Sequence, residues 1–282
     1  MLKRTTIAWT LFALWACACL VAAVLTDSPA GSAAAAVQVL LLMGLVPVHG
    51  SAMIGWGGIG KFVGIVALVT FALEACSIET GFPFGFYVHH MPGPSLLGVP
   101  AMVVIAYVLL SWFAWNLACV LIGDDGRLGS ERHLTTPIIA AFILAGYDFV
   151  VDPINATVLH LYSYRFPDGT FGVPLTNFLG WLFTGWVAFQ LFALVEPRRT
   201  SPTLHGKSLV LLPCLVWLVL AAQYPLLLAH APDGVSVVGD RRFITADIYM
   251  FAVSASLFAM IMPAMAAIVR LVHAAGAPVS RQ

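Results

Sequence analysis

The chain has 282 residues, 61% of them hydrophobic and only 9% charged, with 13 basic side chains against 13 acidic ones. So apolar a composition excludes a soluble domain with an ordinary polar surface. The balanced charge leaves no basic stripe of the kind that binds nucleic acid.

Apolar runs of about 20 residues, long enough to cross a bilayer, recur along the chain. Spans are expected at 6–25, 33–53, 59–78, 97–122, 136–154, 172–195, 208–230 and 244–273, eight in all. The expected fold is therefore all-α, a polytopic transmembrane bundle forming one integral-membrane domain over 1–282. The first run follows Lys3 and Arg4 and has the outline of a signal peptide. It is read as a retained helix because the loop charges then partition cleanly. With eight spans, Lys3, Arg4, Lys61, Arg127, Arg132, Arg198, Arg199, Lys207, Arg270 and Arg281 share one side, and only Arg165, Arg241 and Arg242 lie on the other. By the positive-inside rule both termini are expected in the cytoplasm, in a bacterial-type inner membrane. Pro263 inside the last run predicts a kink or a tilt. Cys17, Cys19, Cys76, Cys119 and Cys214 sit in apolar runs without paired spacing and read as small packing residues. The histidines show no metal-ligand spacing.

On the charged side the connections are ordinary: a turn at Asp124-Asp125-Gly126 and a polar loop from Glu196 to Pro202. The opposite connections are not. Residues 79–96 and 155–171 are rich in aromatics, the first also in Gly and Pro. Such segments suit a lid or re-entrant element buried in protein. A short repeat at an offset of 74 accompanies them. Gly98-Val99-Pro100 matches Gly172-Val173-Pro174, Tyr107 falls on Trp181, Trp112 on Trp186 and Glu74 on Asp148. Both units run in the same direction across the membrane, so the repeat would be a parallel one.

The acids at the ends of these spans carry the chemistry. Asp148 and Asp152, four apart, stack on one face of a helix. An ionised Asp at the centre of a spanning helix costs about 2.5–3.5 kcal/mol, so a pair calls for an explanation: helix-end caps reaching headgroup water, or a buried carboxyl pair that moves protons or holds a metal. Glu74 joins them through the repeat, and no cation lies near the three in their apolar runs, Lys61 being at the opposite end of its run. A carboxyl group in a dry pocket can remain protonated and act as a general acid. Phe82, Phe84, Tyr87, Tyr147 and Trp181 offer π faces to a developing cation. Asn177, one turn into its helix, is placed to orient a carboxylate or a water.

Three stretches resemble a known family: Glu74 with Thr80-Gly81-Phe82-Pro83-Phe84-Gly85-Phe86-Tyr87, then Asp148 to Pro153, then Phe171 to Trp181. They are similar to an integral-membrane carotenoid biosynthesis family that includes a bacterioruberin-type end-group hydratase. The resemblance covers about residues 60–195, with Tyr147 where the family commonly has Trp. It implies an enzyme that adds water to a terminal C=C of a hydrophobic polyene. Protonation to a tertiary cation would be followed by capture of water. Asp148 is then the expected acid and Asp152 or Glu74 the base, with Phe82, Phe84, Tyr87, Tyr147, Asn177 and Trp181 against the substrate. No metal and no cofactor is expected. The expected partners are membrane lipid and other carotenoid-pathway enzymes. A terpene cyclase, a magnesium-dependent prenyl transferase using the Asp pair, and a carotenoid or lipid carrier are the alternative readings.

Overall fold

A computed structural model describes residues 2–26, 28–123, 132–195 and 207–276. The helices are α1 (Leu2–Val24), α2 (Pro29–Thr80), α3 (Ala101–Ile122), α4 (Arg132–Pro153), α5 (Leu175–Val195), α6 (Lys207–Ala229), α7 (Thr245–Ser256) and α8 (Met262–Gly276). Six short strands, β1 (Tyr87–His89), β2 (Ser95–Leu96), β3 (Val99–Pro100), β4 (Tyr162–Tyr164), β5 (Val235–Val238) and β6 (Arg241–Ile244), pair as three two-stranded ribbons. Among the described residues, seven helices, with α7 and α8 taken as one, are long and apolar enough to cross a membrane. The all-α membrane architecture expected from the sequence is present. The turn expected at Asp124 to Gly126 and the loop from Glu196 lie outside the described residues.

The count of seven differs from the expected eight at one place. The runs 33–53 and 59–78 are joined in α2, a helix of 52 residues that starts at a Ser28 cap and Pro29. At Gly55 the backbone leaves the helical region, with φ 77 and ψ 168. Continuous helix would separate Gly50 from Ile59 by about 13.5 Å of rise. Instead, a Cβ built on Gly50 would stand 3.0 Å from the Ile59 Cβ. So α2 doubles back at Gly55, and its halves, 29–54 and 56–80, are each ~38 Å long, enough to cross a hydrocarbon core of ~30 Å.

The last run also departs from straight helix where Pro263 predicts it. A π turn, Leu257–Ile261, joins α7 to α8. Pro263 has no N–H to give to the Ala259 carbonyl, and the wider turn absorbs the gap. A second π turn, Ile154–Val158, follows Pro153 at the end of α4.

The aromatic connections fold into a cover for one end of the bundle. Gly81, at φ 79, caps α2. Ser77 then pins the loop, donating to the Gly85 carbonyl (2.8 Å) and accepting from Phe84 N–H (3.0 Å). β1 pairs antiparallel with β4, Tyr87 opposite Tyr164, Val88 opposite Ser163 and His89 opposite Tyr162. The repeat extends to the backbone. Leu97 (φ 50) and Gly98 (φ 78) form a left-handed pair, and so do Phe171 (φ 52) and Gly172 (φ 90), 74 residues on. α3 and α5 begin at the same offset. The β1–β4 pairing joins the two units, one residue out of the repeat's register, with Val88 opposite Ser163.

Candidate active site

Two consecutive turns of α4 bring Asp148 and Asp152 to the inside of the bundle, where both are buried. Asn177, in the first turn of α5, serves both. Its Nδ2 donates to Asp148 Oδ2 (2.9 Å) and to Asp152 Oδ2 (2.8 Å), so the two carboxylate oxygens converge on one nitrogen. From the ribbon, Tyr164 donates its hydroxyl to Asp152 Oδ2 at 3.0 Å. Asp152 thus accepts two hydrogen bonds on one oxygen. Asp148 accepts one, and its buried Oδ1 has no hydrogen-bond partner among the described residues. Two donors suit an ionised carboxylate, whereas an unpartnered buried oxygen is where a carboxyl proton sits with least loss.

Glu74, from the second half of α2, is buried at the same cavity. Tyr87 donates its hydroxyl to Glu74 Oε2, and His89 Nε2 lies 3.4 Å from the same oxygen. Tyr87 and Tyr164 face each other across the ribbon, ring centres 5.9 Å apart. Tyr87 thus holds Glu74, and Tyr164 holds Asp152, one turn beyond the Asp148 that matches Glu74 in the repeat. Burial, reinforced by the neighbouring Glu74, raises the Tyr87 phenol far above its ordinary value; burial and Asp152 do the same for Tyr164. Both stay neutral and remain donors.

The acids open on a cavity of about 150 Å³ lined also by Tyr107, Tyr147 and Trp181. The Tyr107 and Trp181 rings stack at 3.9 Å and 13°, joining the repeat-related positions of α3 and α5. No Lys or Arg is among the lining residues. Among the described residues, no group of three His, Cys, Asp or Glu is arranged to hold a metal.

Of the residues expected from the sequence, Glu74, Asp148, Asp152, Tyr87, Tyr147, Asn177 and Trp181 meet at this cavity. Phe82 and Phe84 do not line it. Phe82 is exposed beyond the α2 cap, with its ring against Phe183. Phe84 is buried behind the wall, edge-on to Tyr87. It occupies the space Gly180 leaves, since a Cβ there would come within 2.4 Å of its ring. Sequence reasoning missed Tyr164, His89 and Tyr107 as site residues. The alternation Tyr162-Ser163-Tyr164 carried a signal: side chains two apart on a strand share a face, and Tyr162 and Tyr164 both reach the cavity.

A bisanhydrobacterioruberin hydratase of Haloarcula japonica is 33% identical over 129 residues, which is 45% of this chain and 42% of that protein. The chain thus matches less than half the length of this relative. No solved structure matches the chain. The carotenoid biosynthesis protein family matches residues 31–238, well beyond the 60–195 that the sequence motifs span. That range takes in every acid and aromatic side chain of the cavity, and the chain belongs to the carotenoid biosynthesis protein family.

Proposed function

We propose that the protein hydrates the terminal C=C of an acyclic isoprenoid polyene. The observation that carries the reading is the Asp148–Asp152 pair bridged by Asn177, with Asp148 Oδ1 unpartnered at an aromatic cavity. The relative's name supports the reaction type. Asp148 holds a proton and delivers it to the less substituted carbon of the double bond. The electron pair of the π bond forms the new C–H bond and leaves a tertiary cation on the neighbouring carbon. The π faces of Tyr147 and of the Tyr107–Trp181 stack that line the cavity stabilise that cation. A water between the acids forms the C–O bond and gives its proton to Asp152 or Glu74. Because Asp152 Oδ2 lies beside Asp148 Oδ2, a proton gained by Asp152 returns to Asp148, and the pair is ready again. One water is added, and nothing is oxidised or reduced.

A diphosphate-dependent transferase fits less well, because a diphosphate in a dry site calls for Lys or Arg and neither lines the cavity. The test is expression in a carotenoid-producing host with heavy-oxygen water. The product should gain the mass of one water, with the label in a hydroxyl on the more substituted carbon. Activity should survive extensive chelation. A product without oxygen would point to cyclisation, an unlabelled hydroxyl to an oxygenase, and loss on chelation rescued by magnesium to the transferase.

A further inference from the structure

The size and mouth of the cavity bear on how a long substrate reaches it. A cavity of about 150 Å³ is what a benzene-sized group fills, so this one, at about 150 Å³, holds one terminal five-carbon isoprenoid unit and little more than a water. The rest of a polyene must lie outside. The partly exposed lining residues show where it leaves. Met102 on α3 is the exposed one; Val103 and Ala106 on α3, Tyr147 and Val151 on α4 and Asn155 in the π turn after it are partly exposed beside it, as are His89, Met91, Leu161 and Tyr162 at the ribbon and Trp181 on α5. Tyr147 and Val151 stand about 6 Å apart along α4, and Asn155 continues the line into the π turn. The mouth is therefore widest at Met102 on α3, a slot with α3 on one side and α4 with its π turn on the other, and with Met91 and Leu161 at its upper rim beside the ribbon. The ribbon closes the top, with Tyr87, His89, Tyr162 and Tyr164 all turned into the cavity while Val88 between them is exposed. Leu96, Leu97, Leu159 and Phe166 are exposed on the connections around this end, and Leu175 at the start of α5. Apolar side chains there place the slot at the level of lipid, not above it.

We infer that substrate enters sideways from the bilayer through the slot between α3 and α4, which admits one unsubstituted isoprenoid terminus and leaves the chain behind it in the lipid. The inference rests on the hydratase reading for what happens next, but not for where the chain lies. It makes the protein indifferent to chain length beyond the first unit. It also excludes ends that are bulkier than a five-carbon unit, such as a cyclohexene ring.

The test is photo-crosslinking of the full chain in lipid nanodiscs. The probe is an acyclic isoprenoid alcohol with a free dimethylallyl end and a diazirine on its third unit. Labelled peptides should map to α3 around Met102 to Ala106 and to α4 and its π turn around Tyr147 to Asn155. An unlabelled acyclic isoprenoid should reduce that labelling at least tenfold, and a ring-ended one should not. Val103→Trp should reduce it to a similar degree, whereas His90→Trp, on the exposed face of the ribbon, should leave it unchanged. Labelling in the outer groove between α4 and α5, lined by Phe142, Leu182 and Phe183, or labelling that no competitor reduces, would overturn the inference. Hydration of acyclic polyenes is measured in the same nanodiscs. Slot labelling without hydration sinks the hydratase reading alone, and hydration without slot labelling sinks sideways entry alone.

Discussion

Asn177 decides the character of the site, because its one amide nitrogen holds two carboxylates that would otherwise repel. The donor pattern also separates their roles, leaving Asp152 held by two donors and Asp148 with a free oxygen. Asp148→Asn should abolish hydration, since an amide keeps the size but cannot donate a proton of suitable acidity. Asp152→Asn and Glu74→Gln should each lower the rate by ~10²–10⁴-fold if they act as base. All three variants should accumulate normally, because a buried amide is cheaper than a buried carboxylate. Product formed per amount of purified protein checks this, and unchanged rates in all three would leave the acids as structural caps. Asn177→Leu separates positioning from acid chemistry. It should lower turnover strongly and shift the pH profile, because the two carboxylates then face each other without a shared donor.

At the scale of elements, the left-handed pairs that open α3 and α5 fix how each loop enters its helix. Gly172 has φ 90, and a Cβ there would meet its nearest atoms at 3.4 Å or more. Gly172→Ala is therefore a backbone test with little clash, and should cost ~1–2 kcal/mol, read as a lower melting temperature in detergent. Gly180→Val tests the packing behind the wall. It should displace Phe84, loosen the Tyr87 loop and reduce activity more than it reduces the melting temperature. These elements also show what the sequence made legible. The span positions, the Asp148–Asp152 face and the offset of 74 were readable because helical spacing and glycine signatures are local. The ribbon pairing that delivers Tyr164 to Asp152 joins segments 75 residues apart at Val88 and Ser163, and nothing local encodes it. Phe82 and Phe84 misled for a related reason. Their aromatic character was plain, but the turn held by Ser77 turns one out to lipid and the other behind the wall.

For the whole molecule, the ribbon, the acids and the β5–β6 hairpin share one end, and the bend of α2 at Gly55 lies at the other. The charges follow that division. Arg4 reaches the Ser51 carbonyl near the bend, and Arg270 reaches the Leu121 carbonyl at the far end of α3. Arg241 pairs with Asp168 at the site end, 3.6 Å apart, and Arg165 lies over Phe86 there. Arg127, Arg198, Arg199 and Arg281 lie outside the described residues. If both halves of α2 cross, there are eight crossings, and the positive-inside rule puts both termini in the cytoplasm and the acids near the outer face. Reporter fusions after Thr26 and after Gly234 should then report outside, and fusions after Gly57 and after Leu204 inside. The Gly57 fusion is the sharpest of the four, because it tests the fold-back directly. If α2 crossed only once, residues on either side of Gly55 would lie within the membrane or on the wrong face, and the N-terminal charges would move outside against their bias. A fully reversed pattern would turn the ribbon to the cytoplasm, and the acids would then draw water and protons from that side.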